Sequence, residues 1–411
     1  MPFTPLRYGR TVNGVQASLA GAITGGLVLR SGSDRPAPGT VRWSGSTIEA
    51  IDPPAPEPRL ASGGAATADG PAPAVIDATG ALVLPGIVDL HGDAFERSIM
   101  PRAGVEVDVE LGLADNGAQL LAAGVTTAFL SATDSWEPGL RSRETLRRVI
   151  AAISRRRGGP DVRLHVRHER CNTTGHEELV GWIEDGTIGL LSFNDHTPGG
   201  IALVPDGVSA LQAQRAGVAA EVLERLQQEA IGRRAAGREQ ERDLAETAVR
   251  AGCVTASHDA DDLDDLRRDL SLGVTIAEFP TSIDLAHRYR REGIEVLFGA
   301  PNLVRGRSHL GNLSVAVALR AGVGTILCSD YHYPSLLQAP FAHTASGEVP
   351  LGEAWSLVAE RPARAAGLVD RGRVAAGARA DLLVVEPPER SEPARVRAAV
   401  VAGRVVLLAP R

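Results

Sequence analysis

Eight short apolar runs, each followed by a stretch of helical periodicity, constrain this chain more than any other feature: ALVLPGIVDLH, VTTAFLSA, VRLHVRHE, TIGLLSFNDH, CVTASHD, VTIAEFP, EVLFGAP and TILCSD. Parallel strands need crossovers long enough to hold a helix, so this alternation is the pattern of repeated βαβ units. Eight units predict an α/β fold, a closed (β/α)8 barrel of the TIM type. A doubly wound open sheet competes, but no Gly-rich phosphate loop follows the first run, and polar residues recur at the C-terminal end of run after run.

At 411 residues the chain exceeds what one hydrophobic core supports, so a second unit is expected. Both ends supply β-type runs with turn residues: GLVLRSG and GTVRWSGSTIEAI near the start, ARADLLVVEPPER and VRAAVVAGRVVLLAP at the end. These predict a small β-sandwich built from both chain ends, with the barrel inserted in it. The expected division is 1–82, ending in a linker rich in Pro, Ala and Gly from Pro53 to Pro73; a barrel at 83–368; and a return segment at 369–411. From Pro205 to Arg250 a charged stretch rich in Ala, Gln and Arg reads as two helices, or one plus a cap over the barrel mouth.

The 44% hydrophobic and 23% charged composition argues for a globular chain. A net charge of -7 offers no general attraction for nucleic acid or an anionic membrane, so an anionic small molecule has to be met by local arginines. Cys171, Cys253 and Cys328 match neither a zinc module nor a disulfide framework, which points to a reducing compartment. The apolar stretch near the N-terminus is broken by polar residues and glycines well short of a membrane span, so a cytoplasmic location is expected. Self-association into a homo-oligomer is left open. All 43 basic residues are arginine.

Hydrolytic divalent metals want imidazole and carboxylate ligands held rigidly, with a position kept for water. In VDLHGDAF, His91 and Asp93 are two residues apart, so on a strand both face the barrel interior. Later runs end in Glu169, His196, His258 and Asp330. A single His or Asp at a strand end is more often a loop hydrogen-bonder; six of them capping the runs on one face point to a shared task, one or two divalent ions, zinc or manganese. His165 and His168 are candidate orienters of these ligands, and packing roles suit them equally well.

The strings LPGIVDLHGD, the final SD and GARADLLVV resemble the amidohydrolase superfamily. More narrowly, HGDAFERSIMPRAGV, NDHTPGG, ASHDADD, AEFPTS, GAPNLVRGRSHLGN, SDYHYPSLL and DRGRVAAGARADL resemble the diphosphatase family of the carbon-phosphorus lyase pathway, from about Leu84 to Val385. That resemblance implies hydrolysis of α-D-ribose 1-methylphosphonate 5-triphosphate with release of pyrophosphate. It implies His91, Asp93, His196 and His258 as metal ligands, and Asp330 as both ligand and general base. Glu169 takes the bridging place that many relatives fill with a carboxylated lysine, a residue this chain lacks. Departures exist: HGD stands for the usual HxH, PRAG for PRPG and DHTPGG for DHSPGQ. The two single histidines also fall on the fourth and fifth runs, where the superfamily has them on strands five and six.

Guanidinium groups meet phosphate oxygens with paired hydrogen bonds. Two clusters suit a polyphosphate: Arg97 and Arg102 after the first run, and Arg305, Arg307, Ser308, His309 and Asn312 after the seventh, where barrels of this kind often bind phosphate. The expectation is attack of an activated water on phosphorus, with Asp330 taking its proton and Arg305 and Arg307 holding the departing pyrophosphate. The rivals are C-N bond hydrolysis on the same metal layout (deaminase, cyclic amidase or deacetylase) and a non-catalytic ligand-binding barrel.

Overall fold

A computed structural model describes residues 19–54, 73–200, 207–306, 313–389 and 392–409. Eight strands form one sheet in chain order: β1 (Ile87–Gly92), β2 (Val125–Asp134), β3 (Asp161–Glu169), β4 (Leu190–Asn194), β5 (Val254–His258), β6 (Ile276–Glu278), β7 (Glu295–Gly299) and β8 (Ile326–Cys328). Every neighbouring pair is parallel. The ends meet where the Asp330 amide donates to the His91 carbonyl at 2.8 Å and the Asp93 amide to the Asp330 carbonyl at 3.0 Å. These strands are the eight apolar runs, and the doubly wound alternative falls. Continuous apolar runs were legible because barrel strands are covered on both faces, as in β2, buried at every position.

Period-two alternation builds the interior in layers. Val88, Leu90, Phe129, Leu190, Ala256, Ile276, Leu297 and Ile326 form an apolar floor. Two residues further along their strands stand Ser131, Ser192, His258, Glu278 and Cys328, all buried. β1 breaks the rule usefully. Its pairing with β2 slips between Asp89 and Gly92, and this extra residue lets Leu90 join the floor while His91 still turns inward. Beneath the slip the buried Asp89 accepts from the Ser329 amide at 3.0 Å and hydroxyl at 2.5 Å, tying β1 to β8; burial pushes its carboxyl up to about 6.

Both chain ends meet in a second sheet of eight strands. Gly21–Val28, Ala37–Ser44, Thr47–Asp52, Ala74–Asp77 and Leu82–Pro85 come from one end; Leu382–Glu386, Arg395–Val401 and Arg404–Leu408 come from the other. Alternation divides its side chains between two cores. Leu382, Val384, Ala398 and Val400 join Trp43 and Ile48 in the sheet's own cluster, while Leu383, Val385, Ala399 and Val401 join the barrel's outer core. Burying each large side chain of this kind contributes about 1.5–3 kcal/mol.

The stretch read as two helices is three: Ala210–Ala216, Ala220–Gly232 and Arg234–Ala251. Ser209 closes the first with a reciprocal capping box, and Gly217 ends it in the left-handed region. Ala213, Ala216 and Leu223 pack with Trp136 of the loop after β2, which places these helices beside the mouth. Cys171, Cys253 and Cys328 are free thiols. Among the described residues no helix is long and apolar enough to cross a membrane. Most of the Pro53–Pro73 linker lies outside the described residues.

Candidate metal centre and active site

His91 is buried at the barrel axis, its Nδ1 2.9 Å from Glu278 Oε1. A carboxylate accepts, so Nδ1 carries the proton and Nε2 keeps its lone pair. His165 lies beside it, with Nδ1 3.1 Å from the Leu90 carbonyl and 3.0 Å from Ser131 Oγ, and Nε2 2.9 Å from Ser192 Oγ. The carbonyl takes the Nδ1 proton and Nε2 accepts from Ser192, so both ring nitrogens are engaged. His91, His165 and Glu278 have donor atoms within 4.8 Å of one another; because hydrogen bonds already occupy His165 fully and His91 at Nδ1, this trio reads as the floor of the site.

Above it His196, His258 and Asp259 form a second group with metal-ligand spacing. The His258 ring centroid lies 5.4 Å from that of His91 and 5.4 Å from that of His196, so the three rings form one row. Glu169 Oε1 is 2.5 Å from His196 Nδ1, and its Oε2 accepts from the His196 amide at 2.9 Å. His258 Nδ1 is 3.0 Å from Asp259 Oδ2, within charge-pairing reach but out of line for a hydrogen bond.

Burial sets the protonation states. It drives His91 well below its ordinary range, His165 to about 3 and His258 to about 4, so all three rings are neutral at neutral pH, the form that binds metals. Burial works to raise Glu169 and Asp259, but the charge and hydrogen bonds of His196 hold Glu169 near 2, and the charge of His258 holds Asp259 near 2. Asp330 goes the other way: burial, then the charge of Asp93, pushes it up to about 7.

Neutral imidazoles beside carboxylates fit a divalent ion, and two orphaned atoms, His258 Nδ1 and Glu278 Oε2, are buried without hydrogen-bond partners. Arg167, 5% exposed, stands among them. Its Nη2 is 3.2 Å from His258 Nε2 and its Nη1 3.8 Å from Asp93 Oδ2, while its Nε is buried and unpartnered. An ion held at those two donors requires the guanidinium to turn aside. Three residues at strand ends, Asp259 (φ 53°), Phe279 (φ 56°) and Asp330 (φ 54°), adopt the left-handed region. For a side chain such as phenylalanine that conformation is strained, and such strain concentrates at functional sites.

The six residues expected as ligands all lie at this end of the barrel, on or just after β1, β3, β4, β5 and β8. His196 and His258 belong to the fourth and fifth strands, as counted from the sequence. The arginine clusters divide. Arg97 donates to the Tyr331 carbonyl at 2.6 Å and Arg305 to the Tyr331 hydroxyl at 3.1 Å, so both contact the residue after Asp330, one at its backbone and the other at the tip of its side chain. Arg102 is exposed, bridged to Val105. Arg307, Ser308, His309 and Asn312 lie outside the described residues. His168 points away, with Nδ1 2.7 Å from Asp134 Oδ2, and Asp134 also accepts from Arg143 and Asn172. Sequence reasoning missed Glu278, Arg167 and Asp259. The rule that found His258 would have found Glu278 at the end of VTIAEFP, and the spacing His165, Arg167, Glu169 would have set Arg167 inward.

A closed parallel barrel with imidazoles and carboxylates at its C-terminal end, beside a sheet made from both termini, defines a class, and the chain belongs to the amidohydrolase family. The amidohydrolase family model matches residues 315–407. The alpha-D-ribose 1-methylphosphonate 5-triphosphate diphosphatase of Escherichia coli (strain K12) is 31% identical over 322 residues, covering 76% of this chain and 85% of the relative. Two solved structures share the fold. The N-isopropylammelide isopropylaminohydrolase of Burkholderia multivorans ATCC 17616 has a TM-score of 0.60 and 20% identity, covering 94% of this chain and 98% of that one. The 5-methylcytosine deaminase of Klebsiella pneumoniae, liganded with 5-fluorocytosine, has 0.63 and 18%, covering 95% and 98%.

Proposed function

We propose that this chain is a metal-dependent hydrolase of phosphoanhydrides, releasing pyrophosphate from a ribose phosphonate triphosphate, the substrate named for its E. coli relative. His91, Asp93, Glu169, His196, His258 and Asp330 would hold one or two divalent ions, zinc or manganese. When bound, such an ion polarises a phosphoryl oxygen and makes water a usable nucleophile near neutral pH.

The observation that carries the reading is Arg167, a buried guanidinium among the ligand candidates. Amide or amidine hydrolysis develops charge on a single atom; phosphoryl transfer spreads it over three oxygens, which a guanidinium turned off His258 and Asp93 by the bound ion would stabilise in a site of low dielectric. At the rim, Arg97 and Arg305 orient toward the departing pyrophosphate from either side of Tyr331. Asp330, raised to about 7, is matched to accept the proton of the attacking water.

The test is product analysis. The zinc- or manganese-loaded protein is incubated with α-D-ribose 1-methylphosphonate 5-triphosphate and, separately, with cyclic amides and aminopyrimidines. Pyrophosphate from the first and no ammonia or ring opening from the others is expected. Ammonia release without pyrophosphate would hand the site to C-N hydrolysis.

A further inference from the structure

A cavity of about 460 Å³ opens beside His258, between helix Arg234–Ala251 and helix Leu263–Ser271. Its wall carries five arginines, Arg170, Arg238, Arg242, Arg267 and Arg268, against three carboxylates, Glu241, Asp264 and Asp265. The pairing is uneven. Arg170, 5% exposed, is neutralised by Glu241 at 3.1 Å and Asp195 at 3.2 Å. Arg267 pairs with Asp264, and Arg268 lies 2.9 Å from Asp269 and 3.7 Å from Asp265. Arg238 and Arg242 have no ion-pair partner among the described residues. They stand four apart on one helix face, where like charges repel, and both face the cavity.

The rest of the wall is held firmly. The turn after β4 contributes Gly199 and Gly200; Arg234 clamps it through Asp195 Oδ2 at 3.0 Å, Thr197 Oγ1 at 2.7 Å and the Pro198 carbonyl at 2.7 Å. A Cβ on Gly200 would lie 2.2 Å from the Asp195 carbonyl oxygen, so only glycine fits there. The cavity is thus a preformed recess with two guanidinium groups that have no ion-pair partner among the described residues, and with His258 at its edge.

Its position gives it a role. In a barrel closed between β8 and β1, strands β4 and β5 are diametrically opposite. Arg97 and Arg305 both contact Tyr331 on the side of β1, β7 and β8, so the histidine row lies between two separate groups of arginines. A single-ended anion has use for one of them. We propose that the recess is a subsite for a tetrahedral oxyanion, a phosphate or phosphonate group at the end of the substrate remote from the scissile anhydride, bound by Arg238 and Arg242. This deepens the phosphoanhydride reading and rests on it for the identity of the other end.

Two measurements on the full metal-loaded chain test it. Inorganic phosphate and methylphosphonate are titrated calorimetrically with pyrophosphate already saturating. The wild type should bind them, Arg238→Ala/Arg242→Ala should lose at least tenfold in affinity, and Arg97→Ala/Arg305→Ala should leave that binding intact. Both arginines of the first pair are exposed and unpaired, so folding is not at stake. Steady-state kinetics then compares the phosphonate-bearing triphosphate with ribose 5-triphosphate: the Arg238/Arg242 variant should raise KM at least tenfold for the first alone, with kcat unchanged. Unaltered phosphate affinity in that variant, or equal KM changes for both substrates, overturns the subsite. Should neither triphosphate be hydrolysed by the wild type, the reaction assignment fails and the titration alone decides the subsite.

Discussion

Glu278 Oε1 lies 2.9 Å from His91 Nδ1, and both side chains are sealed from solvent at the barrel axis. A carboxylate behind a histidine fixes the tautomer, aims Nε2 and raises its basicity, so Glu278 acts on whatever His91 holds without touching it. Removing such a partner commonly lowers metal affinity about 10- to 100-fold. Glu278→Ala should show that loss by chelator competition, and Glu278→Gln, whose amide oxygen still accepts from Nδ1, should recover most of it. Wild-type affinity in the alanine variant would mean that packing alone holds His91.

Asp330 is the residue proposed above as proton acceptor: burial and Asp93 raise it to about 7, and its backbone is locked to β1 on both sides. Asparagine keeps the size and one ligand oxygen but takes no proton. Asp330→Asn should retain most metal and substrate affinity and lose about a hundredfold to ten-thousandfold in turnover, measured as pyrophosphate release. A variant retaining more than about a tenth of the activity would move the base elsewhere, with His165 disfavoured by its two engaged nitrogens.

Arg97 and Arg305 converge on Tyr331 from different barrel segments, so they are expected to share a ligand. Replacing both with alanine should raise KM for a triphosphate substrate while leaving metal content alone, since both are exposed rim charges bonded to Tyr331 and to none of the ligand candidates. Metal analysis on the same preparation separates this from damage to the centre. An unchanged KM would assign pyrophosphate to other cations.

Much of this was readable from the chain, for one physical reason. Parallel strands buried on both faces leave continuous apolar runs, and rigid strand ends carry the reacting groups, so run and chemistry sit side by side in VDLHGD, LHVRHE and TASHD. What escaped has no local signature. The one-residue slip at Asp89–Gly92 aims His91 through pairing with β2, a relation between distant segments. The left-handed backbone at Asp259, Phe279 and Asp330 is imposed by the surrounding fold against residue preference. The shared contact of Arg97 and Arg305 with Tyr331 exists only once β8 closes on β1. Glu278 was available to period-two reasoning, since it stands two residues beyond Ile276 of the apolar floor.

The last expectation concerns acid stability and the joint between barrel and second sheet. Asp161 opens β3 at the end remote from the site, and its Oδ2 lies 2.6 Å from Arg371 and 3.4 Å from Arg379, both in the segment leading into the C-terminal strands. Burial works to raise its carboxyl, but the Arg371 hydrogen bond and the charges of Arg163, Arg371 and Arg379 outweigh it, so the folded-state value is depressed below 3.8. A depressed carboxylate stabilises the fold above its unfolded value; that contribution is lost as pH falls through the folded one. Arg371 is buried and would be left short of a partner, so Asp161→Asn should cost about 1–3 kcal/mol at pH 7. As pH falls below the ordinary carboxylate range the wild type should lose stability more steeply than the variant, so that the gap between them narrows. Urea titrations at pH 7, 4 and 2.5 measure the gap; a gap that stays constant down to the lowest pH would show that the loss comes from packing and not from the charge of Asp161.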